Sequence, residues 1–287
     1  MENKDRILFE SERCQYREFG VYADGTDFAG RHPQLLADIK KHDLNYLMSE
    51  AYPRRQALSS AIQQLPEYLA FLKTTLKTDF FFAAFRQSDK RGDDPDVKRT
   101  GQKDVEMFVL ERIQDQHEDP RKNYEFVVET GNRVIGYVEL FDEKPCEAGL
   151  QYERGIFINA DEQANGYGKE AIIALTDYAF RVLSVNRIFT MADPENVRSV
   201  NNITKNSGGV QVGEEDSKYS HLNGGGSRRA LFHIRPEGFY KAVEEKGNQG
   251  CLMKAPETPA AWAVKYPVSR KPLPSGRPAK PTGDRRS

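Results

Sequence analysis

Residues 149–168 read GLQYERGIFINADEQANGYG and run directly into KEAIIALTDYAFRVL at 169–183. The stretch Gly149–Asn159 is rich in β-branched and aromatic residues and predicts a strand. Over Gly168–Leu183 the apolar positions 171, 172, 175, 178, 179, 182 and 183 follow the i, i+3, i+4 spacing of a helix with one buried face. Between them lies the turn Gln163-Ala164-Asn165-Gly166-Tyr167-Gly168. A glycine-bearing turn that opens a helix presents free backbone N–H groups and the positive end of the helix dipole, a combination that suits a phosphate or pyrophosphate. Gly166 and Gly168 let the backbone approach an anion closely and adopt positive φ where needed. Lys169 adds a charge at the rim. Such a turn also occurs for reasons of geometry alone. It is neither a GxGxxG dinucleotide fingerprint nor a GxxxxGK[ST] loop.

Outward from this unit, strand and helix patterns alternate. Arg6–Phe19 predicts a first strand, and Pro33–Lys41 a helix. Ala57–Lys77 is helical in pattern, with Pro66 set to break or restart it. Val105–Gln116 predicts a short helix. Tyr124–Glu129 and Arg133–Phe141 are apolar runs joined by Thr130-Gly131-Asn132, a hairpin signal. Arg187–Ala192 predicts a strand, Val197–Asn206 a helix, and Ala230–Ile234 a late strand after the glycines at 224–226. Gln87–Asp104 mixes charge with Gly92 and Pro95 and predicts an exposed loop. The order implies an α/β or α+β sheet domain over residues 1–250.

The chain has 287 residues, enough for a substantial core, with 42 Lys and Arg against 43 Asp and Glu. This balance argues against a chain built throughout to coat nucleic acid or anionic membrane. The charge is uneven, however. Residues 251–287 carry eight Lys and Arg against Glu257 and Asp284, with seven of the fifteen prolines. That composition predicts a basic, proline-rich, disordered tail, which Trp262 could pin to the body. A solvated tail is the plain reading; an arm that contacts a polyanion or nucleic acid is the alternative. No apolar run reaches membrane-spanning length, and the charged start MENKDRILFE does not resemble a signal peptide. The expected location is therefore cytoplasmic, with no membrane contact. Cys14, Cys146 and Cys251 are far apart, and the five histidines show no ligand spacing, so no metal is expected.

Several motifs in fixed order resemble the GNAT family of N-acetyltransferases, in its ribosomal-protein and polyamine acetyltransferase branch. They are Gln163–Gly168, Glu170-Ala171, Tyr178-Ala179-Phe180, Arg187-Ile188, Asn196–Ser199 and Lys205–Gly209. The clear similarity spans about 65 residues, and the opening strand and hairpin extend it over most of 6–240. The resemblance implies a GNAT fold: a mixed central sheet with a splayed parallel strand pair and flanking helices. It implies acetyl-CoA as acyl donor, held through the backbone of Gln163, Ala164, Asn165, Gly166, Tyr167, Gly168 and Lys169. The main chain at Phe157 and Ile158 would pair with the pantetheine arm. Asn196 would contact the cosubstrate, although an asparagine there is also a plain helix cap. Ser199 falls where the branch places a donor to the leaving thiolate. The family's acid tyrosine would fall at Ile203, and Thr204-Lys205-Asn206-Ser207-Gly208-Gly209 departs from the family's E-K-x-G. Ala164 replaces a glycine, at little cost if its φ stays negative.

Acetyl transfer needs a neutral amine, so a carboxylate or water chain must take up a proton. Glu153 is the first candidate base and Glu139 the second; each could equally be an ordinary strand residue. The acceptor is read as a small amine, amino acid or amino-sugar. The alternatives are a macromolecular amine, which the basic tail favours, and a non-catalytic acyl-CoA-binding protein. Members of this family often form homodimers.

Overall fold

The computed structural model describes residues 8–75, 102–146, 149–216 and 228–254. The chain groups into Met1–Ala255 and Pro256–Ser287. The basic tail from residue 255 onward with Trp262, the apolar run 80–85, nearly all of the 87–104 loop and the glycines at 224–226 lie outside the described residues, whereas residues 251–254, expected in the tail, are ordered against the body.

Where Arg6–Phe19 predicted one strand there are two, β1 (Phe9–Glu10) and β2 (Gln15–Arg17). They are antiparallel, turned by the Ser11 N–H donating to the Cys14 carbonyl at 2.9 Å. Then follow α1 (Phe28–Arg31), α2 (Pro33–Lys41), α3 (Leu44–Leu47), α4 (Arg55–Gln63) and α5 (Pro66–Thr75). Pro66 ends one helix and starts the next, because it lacks an N–H and suits a first helical turn. The next helix, α6, runs Gln102–Gln116 and takes in the last residues expected to be loop.

β3 (Tyr124–Thr130) and β4 (Arg133–Cys146) form the expected hairpin, with Gly131 and Asn132 at φ 53° and 61°. Positive φ at both turn residues is what a two-residue hairpin loop requires. β5 (Gly149–Ile158), α7 (Tyr167–Arg181) and β6 (Arg187–Ala192) come next. The helix expected over 197–206 is α8 (Val197–Asn201) continued by a π-helical turn, Asn202–Asn206. β7 (Val210–Asp216), β8 (Arg228–Ile234) and α9 (Pro236–Glu245) complete the described body.

The eight strands form one sheet in the order β1-β2-β3-β4-β5-β6-β8-β7. Every pairing is antiparallel except β5 with β6. One face packs on α7, where Tyr178 stacks on Phe9 at 4.9 Å and meets Phe126 edge-on at 5.1 Å. The other face packs on α2–α6, through Phe71, Phe108, Tyr137 and Phe157 among others. Arg17 crosses into that second layer fully buried, between Glu67 at 2.9 Å and Glu129 at 2.7 Å. The segment 248–254 runs back between β1 and α7. There Glu12 N–H donates to the Gly250 carbonyl, Lys254 N–H to the Glu10 carbonyl, and Met253 N–H to Asp177. Among the described residues no helix is long and apolar enough to cross a membrane. Nor, among them, do three or more His, Cys, Asp or Glu gather as a metal site.

Candidate active site

The parallel pairing of β5 with β6 stops at Glu153 opposite Phe189. Beyond that rung Arg154–Ile158 stay paired to β4, while Thr190–Ala192 stay paired to β8. The two strands therefore diverge, and their facing backbone edges find no partner in each other. Unpaired strand edges are templates for another extended chain. The wedge is about 13 Å long from residue 154 to 158, at ~3.3 Å per residue. Phe157 and Ile158 lie at its open end. The Phe157 ring stacks on Tyr137, 5.9 Å away, and Ile158 lies against Gly168, so both side chains serve the two core layers. The Phe157 main chain is turned to β4, where its carbonyl faces Gly136, so the expectation that it faces the wedge is corrected; of the two, Ile158 turns its main chain away from β4.

The turn 163–168 begins just past that open end. The backbone N–H groups of residues 164–169 donate to no group among the described residues, and Gly166 gives the helix no side-chain cap. An exposed run of free N–H groups at the start of the fifteen-residue α7 is a fitting cradle for a doubly charged anion. Gly166 has φ 81° and provides the left-handed turn. Gly168 is helical, and a Cβ there would meet Ile158 only at an ordinary 3.6 Å. The expectation for Ala164 is corrected: its φ is +65°, in the left-handed region. That conformation strains an L-residue with a Cβ. Ala164→Gly is expected to raise stability by about 0.5–1 kcal/mol, read as a higher urea midpoint.

Arg13, absent from the sequence reading, stands at this turn. Its Nη1 donates to the Asn165 carbonyl at 3.0 Å, its guanidinium covers the Tyr167 ring at 4.7 Å, and it is partly exposed. Glu170 holds it there. That buried carboxylate accepts from Ser11 Oγ, Arg13 N, Arg13 Nε and Cys14 N at 2.6–3.2 Å. Burial opposes the charge on Glu170, but the bonds from Ser11 and Arg13 outweigh it and keep the carboxyl below its ordinary range. Lys169, expected at the rim, instead donates to Asn248 Oδ1 at 2.9 Å.

Asn196 caps α8: its Oδ1 accepts from the Ser199 N–H at 3.1 Å. The plain cap is thus present, and Nδ2 is left over. The Ser199 hydroxyl has no hydrogen bond among the described residues. Ile203, at the position of the missing tyrosine, is buried.

Glu153 sits on the last paired rung, half-buried, opposite Phe141. Glu125, Glu139 and Gly155 lie in one row across β3, β4 and β5, on the same face as Glu153. A Cβ on Gly155 would come within 2.4 Å of Glu139 Oε1, so that carboxylate already rests on the unpaired strand. Arg112 of α6 bridges the row, 3.2 Å from Glu125 and 3.5 Å from Glu139. Burial pushes the Glu125 carboxyl up to about 8, against the pull of Arg112 and with help from the Glu139 charge. Burial also raises Glu139. The hydrophobic run of β4 hides this row from sequence reading; only the register reveals it.

Glu125 gives a pH prediction. The folded carboxyl keeps its proton to about pH 8, whereas in the unfolded chain it loses it near pH 4–5. Its contribution to stability is therefore full below that lower range and is lost as pH rises through 8. Glu125→Gln cannot titrate, so the fall in urea midpoint between about pH 5 and 8 should flatten in the variant.

Residues 73–208 match the profile of the acetyltransferase (GNAT) domain. The matched stretch is a little under half of the chain and takes in the splayed parallel pair and the open turn before α7. Among solved structures this chain is similar to one described as a ribosomal-protein-serine acetyltransferase from Vibrio cholerae. That likeness has 17% identity over 79% of this chain and 97% of that one, with TM-score 0.49. It is also similar to variant forms of the spermidine/spermine N-acetyltransferase of Vibrio cholerae, at 24% identity over 47% of this chain and 77% of that one, with TM-score 0.41. No curated protein sequence matches it.

Proposed function

We propose that the protein transfers the acetyl group of acetyl-CoA directly to a primary amine in a ternary complex. The run of free N–H groups over 164–169 at the mouth of the strand wedge carries this reading. It offers an anion cradle and an extended-chain slot in line, which is the shape of a nucleotide diphosphate with an amide-bearing arm. The N–H groups of residues 164–169 take the pyrophosphate, with Arg13 beside them, while Gln163 gives its own N–H to the Ala160 carbonyl and its Nε2 to the Ile158 carbonyl. The main chain of Ile158 pairs with the arm, and Asn196 Nδ2 reaches it from α8.

The amine enters from the α2–α6 side, where Glu153 and Glu139 flank Gly155. Its nitrogen attacks the carbonyl carbon, and the acidic face takes the proton. A main-chain N–H of the unpaired strand donates to the oxyanion. The carbon–sulfur bond then breaks, with the electron pair leaving on sulfur and Ser199 Oγ as the donor nearest the family's position. An acidic entry suits a cationic acceptor, so small polyvalent amines head the acceptor classes, ahead of amino-sugars and macromolecular amines.

Calorimetry with acetyl-CoA, followed by thiol release over a panel of amines, peptides and nucleic acids, tests this. Micromolar binding and amine-dependent release are expected. A folded protein that does not bind acetyl-CoA would end the proposal. Binding with no release for any amine would leave a binding protein. Glu139→Gln and Glu153→Gln, each expected to cut kcat by roughly 10²–10⁴ if it is the base, apportion the proton.

A further inference from the structure

The face of β5 that carries α7 holds a charge with no opposite. Arg154 is the first residue past the last parallel rung, and it is 5% exposed. Its Nη1 donates to Thr176 Oγ1 on α7, and its Nη2 to Ser207 Oγ just after the π-helical turn at 3.1 Å. Each hydroxyl passes its own proton to a helix carbonyl, Thr176 to Ile172 and Ser207 to Asn202. Both hydroxyl oxygens thus accept from the guanidinium, but neither carries an opposite charge. No carboxylate among the described residues pairs with Arg154, and burial alone acts on it, drawing it down to about 9. It stays protonated at neutral pH. A guanidinium has five N–H donors, and the two hydroxyls use only two.

The other buried arginine among the described residues, Arg17, has two carboxylates against it. Taking an unpaired charge out of water costs several kcal/mol. Two hydroxyl staples could be had from a neutral side chain. A buried, fixed cation with donors to spare is instead preorganised for an anion that is present only part of the time.

Its position says which anion. A donor arm that enters at Gln163–Gly168 and runs along the open edge of β5 from Ile158 ends where the wedge closes, at Arg154. The end of that arm is the sulfur. We propose that Arg154 stabilises the coenzyme A thiolate as it leaves, in place of the acid that Ile203 cannot supply. This inference rests on the acetyl-CoA reading of the wedge. When the amine nitrogen bonds to the carbonyl carbon and the carbon–sulfur bond breaks, sulfur keeps the pair and faces the guanidinium. The amine's proton goes to the carboxylates on the opposite face of the sheet.

The test uses free coenzyme A and needs no acceptor. The thiolate absorbs in the ultraviolet where the thiol does not, so the bound thiol can be titrated directly on the full chain. A cation within ~4–6 Å favours the charged form roughly tenfold to thousandfold. The thiol of bound coenzyme A should therefore ionise at least a full pH unit below that of the free molecule. Arg154→Met should return it to the free value or above, and Arg154→Lys should keep most of the effect. Arg154→Met should raise the titration further than Ser199→Ala does, which separates the cation from a hydroxyl donor. A wild-type bound thiol that titrates at or above the free value overturns the inference without any variant. So does an equal titration in wild type and Arg154→Met, which would make Arg154 a staple between α7 and the π-helical turn. Failure of wild type to bind coenzyme A at all is a different result, because it removes the acetyl-CoA reading itself and the inference with it.

Discussion

Gly166→Asp is expected to weaken acetyl-CoA binding at least about a hundredfold while the fold remains as stable as wild type. The effects on binding and on folding separate at one position. Gly166 precedes the first turn of α7 with φ 81°, a conformation that aspartate and asparagine tolerate better than other residues with side chains. A carboxylate there meets the free N–H groups and the helix dipole, which favour it by a few tenths to one kcal/mol. The same carboxylate occupies the ground a pyrophosphate needs and repels it. Gly166→Asn has the same shape without the charge and should lose far less affinity. Calorimetry on the three proteins, beside their melting curves, checks the pattern. Equal affinity for Gly166→Asp and wild type would move the anion away from this turn.

Arg17→Met should destabilise the protein by about 3–5 kcal/mol. Against a typical total of about 5–15 kcal/mol, that threatens folding at moderate temperature. Arg17 is fully buried with Glu67 of α5 and Glu129 of β3 as its ion partners, and Glu67 also accepts from the Gly20 N–H at 2.6 Å. The arginine thus ties the first strands to the helical layer. Methionine fills much of the space but leaves two carboxylates in the core without their cation. Adding Glu67→Gln and Glu129→Gln should recover part of the loss, because the uncompensated charges disappear. Urea titrations of the three proteins at neutral pH measure this. An Arg17→Met protein as stable as wild type at neutral pH would show that water or a neighbour takes the arginine's place.

The sequence is legible where one element carries its own pattern. Residues 149–183 announce strand, turn and helix because periodicity and glycine placement are local properties. The turn at 131–132 and the restart at Pro66 are legible for the same reason. β7 and α9 are not among the elements expected from sequence. VQVGEED is short and interrupted by Gly213, whereas Pro236 followed by Phe239, Ala242 and Val243 is a usable helix signal. The positive φ of Ala164 could not be read, since alanine gives no hint of a left-handed turn. The charged partners of the candidate site are a matter of register. Arg112 and Glu139 are 27 positions apart in sequence and meet only because α6 lies over β4, and Arg13 reaches Glu170 across more than 150 residues. Arg154, set between Glu153 and Gly155, gives no sign of burial until the helices above it are placed.

The segment 248–254 that closes between β1 and α7 sets an order of events during synthesis. β1 and β2 leave the ribosome first, yet β2 pairs with β3, and both ends of the β1 turn wait for Gly250 and Lys254. At ~5–20 residues per second that delay is roughly ten to fifty seconds. Until Glu170 and Tyr178 are made Phe9 and Tyr16 have no core to enter and Arg13 has no partner, and from then until Lys254 the turn after β1 lacks its outer hydrogen bonds. The opening hairpin is therefore the last part of the sheet to be secured, and a nascent chain stalled before residue 250 presents it to chaperones and proteases.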